Sequence, residues 1–237
     1  MANSATETSS PGTSIQVDWN DIVRFIRQLS HDLRNHLNAM ELQAALLSEL
    51  VTDSELLGEV KRLRQMISET GNGLQKLSAK FAQVKPSLIR YKTDELIDDL
   101  RQKLNTDFPQ LSAKIEWQLE GVSGEVEIDP QLVQQAVFEL FINAAQHQPA
   151  DSLRVTSGVE SGMLVFTLEE PKNRFELTTE NWGREPLRSM QRDHYGLGLN
   201  RARTIIEAHG GELRARFDSS ESKLITTVVL PLVRRES

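Results

Sequence analysis

The stretch of sequence that decides the fold is SHDLRNHLN, residues 30–38 of a 237-residue chain. It lies in a run whose apolar residues recur at intervals of three and four, the spacing of one buried stripe along a helix. The members of this stripe are Ile26, Leu29, Leu33, Leu37, Met40, Ala44 and Leu47. His31 lies two positions from the nearest of them, so at about 100° per residue its imidazole is predicted to point away from the stripe. The pattern predicts a long helix that presents a histidine on its surface.

A second helix is predicted after a short turn at residues 51–53, with Asp53 or Ser54 as its N-cap. Its apolar positions alternate steps of three and four over residues 60–84, a heptad seam typical of coiled coils and four-helix bundles. Two helices alone would leave long apolar stripes in water. We therefore expect a homodimer in which two hairpins form a four-helix bundle, with Pro86 closing the hairpin.

The composition restricts the class of protein. A hydrophobic content of 38% and a charged content of 26% are typical of soluble proteins. The net charge of −7, without a compensating Lys/Arg-rich run, argues against a nucleic-acid partner. The absence of cysteine excludes disulfides and thiolate metal sites. No apolar run approaches the roughly 20 residues that span a bilayer, and the first fourteen residues lack the order of a secretion signal, so we expect a cytoplasmic protein with no membrane partner.

Three segments are expected: a disordered tail over residues 1–14, a helical hairpin over 15–85 and a mixed domain over 86–237. In the mixed domain the pattern predicts helices at 93–107 (capped by Thr93), 130–147 (capped by Asp129) and 197–208, and strands at 115–119, 126–128, 153–156, 163–168, 212–217 and 224–230. Residues 169–195 are polar and irregular, as in a lid or functional loop. The predicted fold class is α+β: a hairpin forming a dimeric four-helix bundle, then a two-layer α/β sandwich.

Two groups of residues in the mixed domain could carry chemistry. Glu139, Asn143 and His147 follow one another at i, i+4 steps on one face of a predicted helix. Gly196 and Gly198 precede the next helix, where backbone N–H groups at the positive helix end can bind a phosphate. Each group alone is weak, because polar residues along a helix usually form its solvent face and glycine pairs are common. Their order along the chain after His31 is the specific signal.

The stretch around His31 resembles the phospho-acceptor box of bacterial two-component histidine kinases. The mixed domain is similar to the ATP-binding domain of the same family, within the wider fold shared with gyrase, heat-shock protein ninety and mismatch-repair ATPases. The resemblance covers about residues 20–232. It implies that His31 is the phosphorylated residue, that Asp32 assists proton transfer and that Asn35 orients water for phosphatase activity. It also implies a response-regulator receiver domain as partner.

For the mixed domain, the resemblance implies ATP and Mg²⁺ as cofactors. Asn143 matches the asparagine whose oxygen helps to hold Mg²⁺ between the nucleotide phosphates, which suits the oxygen preference of that ion. Glu139 matches the acid or asparagine one turn earlier, and His147 matches a residue near the phosphates. Gly196 and Gly198 match the last two glycines of the second glycine box.

The chain departs from the family where adenine should bind. The family has an aspartate followed by two spaced glycines, whereas this chain has the longer acid Glu170 with Lys172 and Arg174 at the glycine positions. His194 replaces the first glycine of the second box, and His36 replaces a common proline. Because long side chains would fill the space of the base, we predict a degenerate adenine pocket and weak or absent nucleotide binding.

Three functions therefore stay open. The first is a histidine kinase core in which the γ-phosphate of ATP passes to His31. The second is a histidine phosphotransferase or phosphatase that exchanges phosphate with a receiver aspartate without binding ATP. The third is a non-enzymatic dimer that sequesters a response regulator, which retention of His31, Asp32 and Asn35 together argues against. A kinase-type protein with weak or altered nucleotide use is slightly preferred.

Overall fold

The structure is a computed structural model that describes residues 18–146, 152–173, 175, 179–184, 186 and 196–233. The chain divides into two compact units, Met1–Ala82 and Gln83–Ser237. The predicted disordered tail and His147, Arg174 and His194 lie outside the described residues. The domain limits at residues 85 and 86 stay a prediction. In the described part of the chain, no helix combines the length and the hydrophobicity that crossing a membrane requires.

The first unit is a helical hairpin of α1 (Trp19–Leu50) and α2 (Ser54–Lys80). Each helix is preceded by an N-cap aspartate whose carboxylate accepts hydrogen bonds from backbone N–H groups that have no partner inside the helix. Asp18 accepts from the N–H of Asn20 at 2.7 Å. Asp53 accepts from two N–H groups of the first turn of α2, at 2.8 and 3.1 Å. The predicted turn and one of its two candidate caps are therefore confirmed.

The hairpin buries little of its apolar surface. Ser30, Ala44, Ile67 and Phe81 are buried between the helices. Arg27 donates two hydrogen bonds, at 2.6 and 3.0 Å, to the Phe81 carbonyl. Large apolar side chains that are 41–73% exposed are Phe25, Leu29, Leu33, Met40, Leu42, Leu46, Leu47, Leu50, Leu56, Leu63 and Met66. One hairpin therefore leaves much of the predicted stripe uncovered.

The second unit is a mixed α/β domain. Its elements, in chain order, are β1 (Ile89–Lys92), α3 (Thr93–Asp107), α4 (Pro109–Ser112), β2 (Ile115–Leu119), β3 (Glu125–Ile128), α5 (Pro130–Gln146), β4 (Leu153–Glu160), β5 (Met163–Pro171), α6 (Gly198–Ala208), β6 (Glu212–Asp218) and β7 (Lys223–Pro231). Within the described residues, five strands form a sheet in the order β2-β4-β5-β7-β6, in which only β2 and β4 are parallel, and β1 pairs with β3. The helical hairpin followed by an α/β sandwich confirms the predicted α+β class, and the dimeric four-helix bundle stays a prediction.

The core of this unit lies between the sheet and helices α3, α5 and α6. Every second residue of β5 is buried, because successive side chains of a strand point to opposite faces. Phe166 of this row packs against Phe141 of α5 and Trp117 of β2, with ring centroids 6.2 and 6.4 Å apart. Aromatic contacts of this kind fix α5 on the sheet.

Several sequence predictions for this unit need correction. Thr93 is not a cap: it begins α3 itself, and its buried hydroxyl donates to the carbonyls of Val122 and Gly124. The short elements β1 and α4 were not predicted. Strand β5 runs to Pro171, three residues beyond the predicted end, because antiparallel pairing with β7 continues to Lys223.

Candidate functional site

The phospho-acceptor predicted from the sequence lies on the surface of α1. The His31 side chain is 66% exposed, whereas its neighbour Ser30 is buried. His31 Nδ1 lies 3.3 Å from Oδ1 of Asp32 and 3.4 Å from Nδ2 of Asn35. Gln28, one turn before Asp32, donates to the same Oδ1 at 2.9 Å. The regular helix thus brings together the three residues predicted for phosphoryl chemistry.

The two contacts at Nδ1 belong to different tautomers. A carboxylate only accepts, so a hydrogen bond to Asp32 requires a proton on Nδ1, whereas the Asn35 amide donates and requires a bare Nδ1. Hydrogen bonds from His31 and Gln28 lower the pKa of the Asp32 carboxyl, which favours its ionised form. An ionised acceptor favours the Nδ1–H form, which leaves the lone pair on Nε2. This arrangement offers a nucleophilic nitrogen to a partner.

In the α/β unit, Glu139 and Asn143 lie one turn apart on α5, and both are half-buried. The start of α5 is fixed by Asp129, which accepts from the N–H of Leu132 at 3.1 Å. The backbone N–H of Asp129 donates to Nε2 of His209 at 3.0 Å, and Nδ1–H of His209 donates to the Ile205 carbonyl at 2.7 Å. The buried His209 therefore ties the end of α6 to the start of α5. The sequence pattern predicts no role for this histidine.

The predicted glycine turn leads into α6. Gly196 has φ of +63°, a left-handed conformation that glycine adopts without a steric penalty. Gly198 is the first residue of α6, and the N-cap Leu197 supplies no side-chain hydrogen bond to the first turn. Leu197 itself therefore caps none of the first backbone N–H groups of α6, and N–H groups at such a helix end are suited to binding phosphate.

A second feature missed by sequence analysis anchors residues 179–184 to α6. The buried Arg203 donates from Nε to the Trp182 carbonyl at 2.7 Å and from a terminal nitrogen to the Leu213 carbonyl at 2.6 Å. Asn200 donates to the Gly183 carbonyl at 3.0 Å. Gly183 has φ of +72°, and a Cβ there would lie 2.7 Å from a backbone oxygen of α6. The sequence signal that could have indicated this anchor is Arg203 itself, because an arginine is rarely buried in a helix without a partner.

The acid predicted to read adenine is already paired. Glu170 and Lys172 are only 3% and 6% exposed, and Lys172 Nζ lies 2.5 Å from Oε1 of Glu170. Burial raises the pKa of the Glu170 carboxyl, and the Lys172 ammonium opposes that rise. The amide oxygen of Asn143 and the backbone N–H groups at the start of α6 are groups of the kind that Mg²⁺ and phosphate prefer, whereas the buried pair of Glu170 and Lys172 does not suit a nucleotide base. In the residues that the structure describes, no cluster of three or more histidine, aspartate and glutamate side chains is placed to hold a metal ion.

Comparison with known proteins agrees with this architecture, although no family model matches the chain. The sensor histidine kinase SpaK of Bacillus subtilis is 24% identical over 201 residues, which cover 79% of this chain and 43% of SpaK. The crystal structure of full-length ShkA in complex with AMPPNP is 18% identical and matches 90% of this chain and 47% of ShkA, with a TM-score of 0.66. The complex of histidine kinase ThkA with the response regulator TrrA is 15% identical and matches 89% of this chain and 61% of that chain, with a TM-score of 0.54. The chain thus spans less than half the length of SpaK. The resemblance to histidine kinases that was inferred from the sequence is confirmed.

Proposed function

We propose that this chain is the core of a two-component histidine kinase, and that His31 carries a phosphoryl group and exchanges it with an aspartate of a response-regulator receiver domain. The observation that carries this proposal is the exposed imidazole with Asp32 beside Nδ1 and its other nitrogen free of described hydrogen bonds. The ThkA relative, which binds a response regulator, supports the choice of partner.

The chemical step follows from the tautomer. The Nε2 lone pair attacks the phosphorus of a receiver aspartyl phosphate, a P–N bond forms, and the bond from phosphorus to the aspartate oxygen breaks with release of the carboxylate. The imidazole gains positive charge as this happens. Asp32 stabilises that charge through Nδ1–H and relieves it by accepting the proton. The reverse step returns the phosphoryl group to a receiver.

Asn35 is proposed to serve hydrolysis of the receiver phosphate. When Nδ1–H faces Asp32, the amide of Asn35 has no acceptor on the ring and can instead hold a water molecule one turn from His31. A water placed there would attack a docked aspartyl phosphate. Phosphatase activity would then depend on Asn35, while transfer to His31 would not.

The homodimer remains part of this proposal. The exposed apolar side chains of α1 and α2 form a surface that water solvates poorly, and a second hairpin would bury it in a four-helix bundle. The chemistry at His31 needs no residue from the second copy. Dimerisation is therefore proposed as a requirement of stability.

The second candidate is ATP-dependent phosphorylation of His31, supported by the relatives named as kinases and by the AMPPNP complex of ShkA. Asn143, with Glu139 and His147, would act at the phosphate end together with Gly196 and Gly198, as the resemblance implies. The base end does not fit, because Glu170 is bound to Lys172. Transfer without ATP is therefore the better supported function.

Incubation with a receiver domain carrying ³²P on its aspartate tests the first candidate. Acid-labile label should appear on the wild type and on His36→Ala, and it should be absent from His31→Ala. The exposed His36 is a matched control because it lies five residues further along the same helix. Label that persists in His31→Ala would refute the proposal. Labelling by ATP with Mg²⁺ alone would favour the second candidate.

A further inference from the structure

Glu170 is the last member of the buried row of β5. Leu164, Phe166, Leu168 and Glu170 alternate along the strand, and all four are buried on the side covered by helices. An unpaired carboxylate in such a row costs several kilocalories per mole, so a carboxylate there needs a partner. Its position at the strand end is also the position that the family resemblance gives to the acid reading the base.

The partner is supplied by the chain itself. Lys172 follows two residues later, and its backbone N–H donates to the Ser222 carbonyl at 2.7 Å. This backbone bond holds Lys172 beside the β5–β7 end, and its ammonium reaches Oε1 of Glu170 at 2.5 Å. Both side chains are buried, so the ion pair is shielded from water and from screening by salt.

We infer that the Lys172 ammonium replaces, within the chain, the hydrogen-bond donor of a nucleobase at Glu170, so that this domain does not read the base of a nucleotide. The inference rests on the proposed membership of the histidine kinase family, whose resemblance matches Glu170 to the acid that binds the base. A carboxylate recognises adenine by accepting a hydrogen bond from its exocyclic amine, a neutral donor. The Lys172 ammonium instead forms an ion pair with the same oxygen, and its full charge in a site shielded from water attracts the carboxylate more strongly than a neutral donor does. A base would have to displace Lys172 and leave its charge buried.

Calorimetry on the full chain with Mg²⁺ tests this with three titrants: ATP, GTP and inorganic triphosphate. If only the phosphates are recognised, the wild type should bind all three titrants with affinities within about threefold of one another. Absence of heat with all three would mean that none binds, and it would equally agree with a base that is not recognised. A wild-type preference of about tenfold or more for ATP over GTP would overturn the inference. This arm needs no variant.

Lys172→Ala provides the second arm. Removing the ammonium should strengthen ATP binding by about tenfold or more and leave GTP unchanged, because Glu170 becomes available to the amine of adenine. The double variant Glu170→Gln with Lys172→Ala should lose that gain. A folded Lys172→Ala, checked by circular dichroism, with unchanged ATP affinity would overturn the inference. If Lys172→Ala does not fold, the wild-type selectivity decides.

The outcome is separate from that of the proposed function. Transfer of ³²P from a receiver to His31 is measured on the wild type without nucleotide, so its failure would refute the function and leave the state of Glu170 untouched. Conversely, ATP selectivity in the wild type would refute the inference and leave transfer to His31 in place.

Discussion

The two units of this chain treat their apolar residues differently. In the α/β unit, side chains such as Leu104, Phe141 and Ile206 are fully buried within one chain. In the helical unit, side chains of the same type, such as Leu42 and Leu50, are largely exposed. The contrast shows that the α/β unit completes its hydrophobic core within one chain, whereas the hairpin needs another surface to cover its apolar side chains. The candidate sites follow the same division, because His31 is exposed on α1 whereas Glu170 is buried in β5.

The largest expected effect tests whether the hairpin completes its core with a second copy. Leu63→Glu places a charge on the exposed apolar surface of α2, where burial in a bundle would leave it unpaired. We expect the dimer to dissociate and the helicity to fall. Sedimentation should give about twice the chain mass of 26.8 kDa for the wild type and the chain mass for the variant.

Leu119→Glu is the matched control. Leu119 lies on β2 of the α/β unit and is exposed to a similar degree, 39% against 45% for Leu63. Its substitution should leave the sedimentation mass at the dimer value. A wild-type mass of one chain at micromolar concentration would remove the contrast between the two units.

The next effect concerns the exposed chemistry of the hairpin. Asp32→Asn keeps an acceptor near Nδ1 of His31 but removes the charge that stabilises the imidazolium. The rate of transfer from a phosphorylated receiver should fall by about 10² or more, the usual contribution of a positioned acid or base. Rapid-quench labelling measures the rate. Asp21→Asn, an exposed aspartate on the same helix, should leave it unchanged, and equal rates for both variants would exclude a role for Asp32.

The elements governed by local pattern were predictable from the sequence. Helices α1 and α2 follow from apolar spacing, and the turn between them follows from the capping chemistry of Asp53. The grouping of His31, Asp32 and Asn35 was also predictable, because all three lie on one regular helix. Spacing along a helix is enough to place such residues.

Contacts between distant parts of the chain were not predictable in this way. Asp129 and His209 are 80 residues apart, and only the packing of α5 beside α6 brings them together. The hydrogen bonds of Arg203 likewise join three separate elements. The sequence shows Glu170 and Lys172 as departures from the family pattern. Their burial as a pair could not be predicted, because it depends on the pairing of β5 with β7. Tertiary contacts decide these features.

Arg203→Ala tests the completeness of the α/β core. The substitution leaves the carbonyls of Trp182 and Leu213 without their donor, and the free energy of unfolding of this unit should fall by about 2–4 kcal/mol. Urea denaturation measures the change. Arg216→Ala is the control, since its exposed ion pair with Asp218 should contribute less than about 1 kcal/mol. Equal losses in the two variants would show that Arg203 does not anchor residues 179–184.

The smallest expected effect tests whether the two units unfold independently of each other. Asp53→Ala removes the acceptor of two N–H groups at the start of α2, which should cost about 1 kcal/mol per protomer. Asp53→Asn keeps a side-chain oxygen at the cap and should cost much less. Because Asp53 belongs to the hairpin, thermal unfolding followed by circular dichroism should show a lower midpoint for the helical transition alone, with the transition of the α/β unit unchanged. A single transition that shifts as a whole would mean that the two units unfold together, and the cap would then stabilise both.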